Sequence, residues 1–81
     1  MSARGYVLVV VTAGRMGDVS ERLSTIPEIK WVDRVIGPYD VIAVLEAPDL
    51  TAIGDLLTHH IHKIDGIART VTCMAIEQDW D

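Results

Sequence analysis

Six stretches of the chain carry a hydrophobic pattern strong enough to predict their structure. Tyr6-Val-Leu-Val-Val-Val11 is apolar at every position and mostly β-branched, which describes a strand covered on both faces. Met16, Val19, Leu23 and Ile26 recur at helical spacing, and Pro27 ends that helix. Trp31 to Ile36 reads as a second strand, interrupted by Asp33 and Arg34, and Val41 to Leu45 as a third that is again apolar on both faces. After Pro48, Asp49 caps a second helix with a stripe of Leu50, Ile53, Leu57, Ile61 and Ile64, and Asp65-Gly66 stops it. Ile67 to Glu77 is the last strand, with Thr70, Thr72, Met74 and Ile76 on one face and Val71, Cys73 and Ala75 on the other.

The order β-α-β-β-α-β contains a weak duplication. Ile26-Pro-Glu-Ile29 closes the first helix and Ile64-Asp-Gly-Ile67 the second, 38 residues further on. Two such units joined by a hairpin form an α+β, ferredoxin-like antiparallel sheet with both helices on one face. The first and third strands are then central, in keeping with their being the most apolar. The opposite face of the sheet would expose more apolar surface than a soluble monomer tolerates, so a second copy is expected to cover it, giving a dimeric α+β barrel.

Composition narrows the function. With 81 residues the chain is one domain, residues 1–81, too small to be more than marginally stable alone. Its single cysteine, Cys73, allows no internal disulfide, so a partner surface is the expected source of further stability. The net charge of −5, with the basic residues scattered, argues against a nucleic-acid partner. No stretch is long enough to span a membrane and no secretion signal opens the chain, which reads as cytoplasmic.

Val35-Ile-Gly-Pro-Tyr-Asp-Val-Ile-Ala-Val-Leu45, a Gly-x-Tyr-Asp turn between apolar runs, points to a ligand rather than to a reaction. Together with Tyr6-Val-Leu-Val-Val-Val-Thr12, the two helix ends and the closing Thr70-Val-Thr72, it makes the whole chain resemble the effector-binding domain of the Lrp/AsnC family of amino-acid-responsive regulators. The helix-turn-helix of the full-length regulators is missing, so the chain looks like the stand-alone version. The resemblance implies a homodimer that assembles into rings of four or five dimers, an octamer or decamer, without direct nucleic-acid contact. It also implies an amino-acid effector held in a cleft between neighbouring dimers, by the turn and the last strand. Carried over by position, the site is Gly37, Tyr39, Asp40, Thr70 and Thr72, with Cys73 and Met74 as further wall residues. Pro38 departs from this picture, because it offers no N–H.

The same residues can be read from their chemistry. Asp40 accepts from an ammonium, Thr70 and Thr72 donate through hydroxyls, Gly37 admits close backbone approach and Tyr39 supplies a ring wall and a hydroxyl. Against this, Asp40 can serve the turn backbone alone, and threonines are ordinary strand residues. Cys73 reads as a buried, inert thiol, and Trp80 either packs on a neighbour or hangs free. His59, His60 and His62 lie close together, with His59 and His62 one helical step apart, but without a carboxylate or cysteine to complete a metal site. No cofactor is expected, and no nucleophile-base or paired-carboxylate spacing recommends an enzyme. Three function classes remain: a regulatory effector-binding module, a structural partner that joins full-length Lrp/AsnC proteins, and a small enzyme or ACT-type domain of related fold.

Overall fold

The computed structural model describes residues 2–76. Strand β1 (Ala3–Val11) leads to helix α1 (Met16–Ser24), followed by β2 (Ile29–Arg34), β3 (Val41–Ala47), α2 (Leu50–His59), a single 3-10 turn (Ile61–Lys63) and β4 (Ile67–Met74). The strands form one antiparallel sheet in the order β2-β3-β1-β4, so the two strands predicted to be central are central. This is the βαββαβ fold expected from the sequence.

Alternation explains the layers. Val7 and Val9 of β1, and Val41, Ala43, Leu45 and Ala47 of β3, point into a core shared with Val19 and Leu23 of α1 and Ile53 and Leu56 of α2. Burying each such Val, Leu or Ile stabilises the fold by roughly 1.5–3 kcal/mol relative to leaving it in water. Ladder pairs place Tyr6 beside Val44, Leu8 beside Ile42 and Val71, and Tyr6 beside Cys73, all on the face away from the helices. Trp31 joins that face opposite Val44 and is 63% exposed. Arg4 and Glu46 pair across strands on the same face at 3.0 Å, and hydrogen bonds to Tyr6 and then Glu46 hold the Arg4 guanidinium above its ordinary pKa.

The duplication appears in the hydrogen bonds. Ile26 N–H donates to Leu23 O and Ile64 N–H to Ile61 O, both at 3.1 Å, and Ile29 and Ile67 repeat the same turn onto Ile26 and Ile64. Asp49 caps α2 as expected, its Oδ1 accepting from Ala52 N–H at 2.9 Å.

Several expectations need correction. The buried stripe of α2 uses Ile53 and Leu56, while Leu50 is exposed and Leu57 only half buried; the helix breaks at His59, and the 3-10 turn resets the phase that delivers Ile61 and Ile64. Strand β2 stops at Arg34, leaving Ile36 wholly exposed in the connection to β3. Cys73, expected to be buried, is exposed in the single chain because it stands on the face that no helix covers. Glu77, the expected end of the last strand, and Trp80 lie outside the described residues.

Candidate functional site

The connection from β2 to β3 is closed by Val35 N–H donating to Asp40 O at 2.9 Å. Its tip, Ile36-Gly37-Pro38, is exposed, and Tyr39 and Asp40 are half buried. Asp40 ties the connection to the end of β1 twice. Its N–H donates to Val9 O at 2.8 Å, and its Oδ2 accepts from Val11 N–H at 2.9 Å. The ladder with β3 ends at Val41, so the carboxylate stands in for the strand carbonyl that the departing chain no longer supplies. Oδ1 has no hydrogen-bond partner among the described residues and retains its capacity to accept.

Gly37 has neither a positive φ nor a neighbour within 4 Å of where a Cβ would stand. Within the chain it therefore adapts to no close contact; it leaves a bare, open stretch of backbone. Thr70 and Thr72 are the ladder partners of Val9 and Val7, which puts both hydroxyls on the helix side of edge strand β4. Both are half buried. Asp40 and Thr70 thus flank β1 at the level of Val9, about 9–10 Å apart by two strand spacings. Met74 packs against the core, whereas Cys73 faces the other way.

Around the same end of the sheet, Thr12 donates from both its N–H and its hydroxyl to Gly66 O, at 2.8 and 3.0 Å, fixing the turn that launches β4. Arg15 reinforces this turn, reaching Asp65 and Asp18 at 3.2 Å each, and the hydrogen bond with Asp65 does most to raise its pKa. One residue that the sequence reading left unassigned belongs here: His62, whose Nε2 lies 3.3 Å from Thr70 Oγ1. The signal for it was the tight Asp65-Gly66 turn, which folds the end of the second helical segment back beside the strand that follows.

Two clefts among the described residues are lined by none of the five predicted residues. A cleft of about 390 Å³ lies among Arg22, Thr25, Ile26, Pro27, Glu28 and His60, and one of about 500 Å³ among Gly17, Ser20, Glu21, Ser24 and Arg34. In the second, Arg34 Nε donates to the buried Ser20 hydroxyl at 3.1 Å, so that contact serves helix-to-strand packing. Among the described residues no group of three or more His, Cys, Asp or Glu is placed to hold a metal ion. No helix among them is long and apolar enough to cross a membrane.

Comparison with known proteins supplies the remaining findings. A family model described as the Lrp/AsnC ligand binding domain matches residues 4–79. A hypothetical protein from Pyrococcus horikoshii has a solved structure that superposes with a TM-score of 0.88 at 33% identity, covering 96% of this chain and 93% of that one. The feast or famine regulatory protein of M. tuberculosis, solved in complex with L-methionine, superposes with a TM-score of 0.81 at 19% identity, covering 98% of this chain and 53% of that one. Among curated proteins, a homocitrate synthase from Sulfurisphaera tokodaii is 30% identical over 60 residues, which is 74% of this chain and 13% of that enzyme. The chain therefore spans only a small part of the curated relative it matches.

Proposed function

The chain belongs to the Lrp/AsnC ligand-binding domain family, and from that premise we propose that it is a cytoplasmic regulatory module that binds a small effector, an amino acid, as a homo-oligomer. The observation that carries this reading is the incompleteness of the site in one chain. The 35–40 connection and Thr70 converge on the end of β1, yet they stand about two strand spacings apart, with the Ile36-Gly37-Pro38 tip exposed. A second surface must complete the enclosure that a small ligand needs. The uncovered apolar face of the sheet, with Tyr6, Leu8, Ile42, Val44 and Trp31, supplies the reason for copies to assemble. In this reading Asp40 Oδ1 accepts from the ammonium, Thr70 and Thr72 donate to the carboxylate, and Tyr39 and the bare Gly37 backbone form the wall. The M. tuberculosis structure with L-methionine supports an amino acid as the ligand class. No catalytic step is assigned to any residue.

Calorimetric titration with the twenty amino acids, run beside light scattering, tests the proposal. Saturable binding of at least one at millimolar concentration or below, by a species larger than a monomer, is the expected result. Binding by a monomer would remove the shared site.

One observation favours a second reading. Half of the Asp40 carboxylate is already committed to Val11 N–H, as a purely structural residue would be. If no amino acid binds, the chain is a structural partner that joins full-length members of the family, and co-purification with one of them is the test.

A further inference from the structure

The contact between His62 and Thr70 has a donor whose identity depends on protonation. His62 sits in the 3-10 turn between Ile61 and Ile64, both buried, so the turn is pinned to the core while the imidazole is presented at the surface. Its Nε2 is 3.3 Å from the Thr70 hydroxyl oxygen. When the ring is neutral with its proton on Nδ1, Nε2 accepts, and the one O–H of Thr70 is spent on the ring. When the ring is protonated, Nε2–H must donate, so the Thr70 oxygen accepts and its own proton is released for another partner. A hydroxyl with a free proton and a cation behind it suits a carboxylate; the same hydroxyl donating to the Nδ1–H tautomer of the neutral ring offers only lone pairs, and the Nε2–H tautomer frees the hydroxyl but supplies no charge.

We infer that His62 is a positioning residue that turns Thr70 into a donor for the carboxylate of a bound amino acid, so that affinity for the carboxylate rises as the imidazole gains its proton. This rests on the proposal that Thr70 belongs to the effector site. The other ionisable groups on the elements around His62 do not duplicate the role. Asp65 is engaged by Arg15, Arg69 stands on the opposite face of β4 from Thr70 by ladder alternation, and Lys63 closes the same 3-10 turn without a hydrogen bond to Thr70. His59 and His60, at the end of α2, serve as controls.

The direction follows from linkage. A bound carboxylate favours the imidazolium, so affinity for the carboxylate rises as pH falls and the ring gains its proton. An amino acid remains zwitterionic between about pH 5.5 and about pH 8, so its own charge does not contribute.

The experiment uses the assembled full chain. The twenty amino acids and, for each that binds, the amine that lacks the carboxylate are titrated calorimetrically at about pH 5.5 and about pH 8, while NMR follows the His62 ring and the Thr70 β-carbon without ligand. The expected result is an affinity for an amino acid about three- to tenfold higher at the lower pH, no such gain for the amines, and a Thr70 shift that titrates with the His62 ring. His62→Gln flattens the profile, and His59→Gln keeps it. Amino-acid binding that is equal at both pH values, or a Thr70 signal indifferent to the His62 titration, overturns the inference and leaves the effector site standing. Absence of binding by all twenty amino acids at both pH values overturns both.

Discussion

The amide of Val11 donates to the carboxylate of Asp40 at 2.9 Å, across 29 residues of sequence. The group that the sequence offers to a ligand's ammonium is therefore also the clasp that holds the 35–40 connection against β1. Replacing it disturbs fold and site together, and the two effects have to be separated by the choice of substitution. Asp40→Ala leaves the Val11 N–H without its partner and is expected to cost about 1–3 kcal/mol. Asp40→Asn keeps a carbonyl oxygen in place and is expected to cost under about 1 kcal/mol, while removing the charge that an ammonium would use. Urea denaturation at one fixed protein concentration measures both. Equal midpoints for wild type and Asp40→Ala would show that water replaces the clasp.

Two glycines should respond in opposite ways. At Gly66, φ is +103°, and a Cβ would come within 2.9 Å of Val19 Cγ2 and 3.0 Å of Arg15 Cβ. Gly66→Ala is expected to destabilise by about 1–3 kcal/mol. Gly37→Ala meets nothing within the chain and should leave thermal stability within about 0.5 kcal/mol of wild type. If Gly37→Ala also leaves amino-acid affinity unchanged, the backbone there does not approach a ligand.

Val44 lies on the uncovered face beside Tyr6 and opposite Trp31. Val44→Glu points away from the core, so circular dichroism should still show the native mixture of helix and strand. An introduced, unpaired charge in an apolar contact between copies is costly, and light scattering should report a shift towards the 8.9 kDa monomer. An unchanged assembly would mean that copies associate through some other surface.

Cys73 gives a chemical readout of the same face. Its thiol is exposed in the single chain and opposes Tyr6 on the sheet. An aromatic disulfide reagent should react slowly with the assembled wild type and at least about tenfold faster with Val44→Glu, because access to the thiolate governs the rate. Equal rates would place Cys73 outside the contact.

Periodicity made the strands and their order legible because the signal is local and repeated. Apolar residues on both faces of β1 and β3 marked the centre of the sheet, and the 38-residue echo of Ile26-Pro-Glu-Ile29 marked its two halves. It failed where phase changes. Leu50 falls on a continuous helical stripe drawn through Ile64, but α2 stops at His59 and the 3-10 turn shifts the register, so Leu56 takes the buried place. Alternation also assigned Thr70 and Thr72 to one face and Cys73 to the other, without saying which face lacks a helix; hence the exposure of the thiol in the single chain was not legible. Around the candidate site, the turn residues were visible as a motif, whereas the partners of Asp40 and Thr70 were not. Val11 and His62 reach them because the chain joins the ladder only at Val41 on one side of β1 and doubles back at Gly66 on the other.

Strand β4 joins the sheet only through β1, pairing residues from nearly opposite ends of the described chain. Closing so long a loop comes late in folding, after the local β2-β3 pairing and the packing of α1 have formed. As an edge strand with no neighbour on its outer side among the described residues, β4 is, like β2 at the other edge, open to fraying. Thr70 and Thr72 are thus among the last groups set in position. A molecule that grips them would act as a brake on fraying, and its arrival would register as slower hydrogen exchange along β4 before any change of shape could be seen.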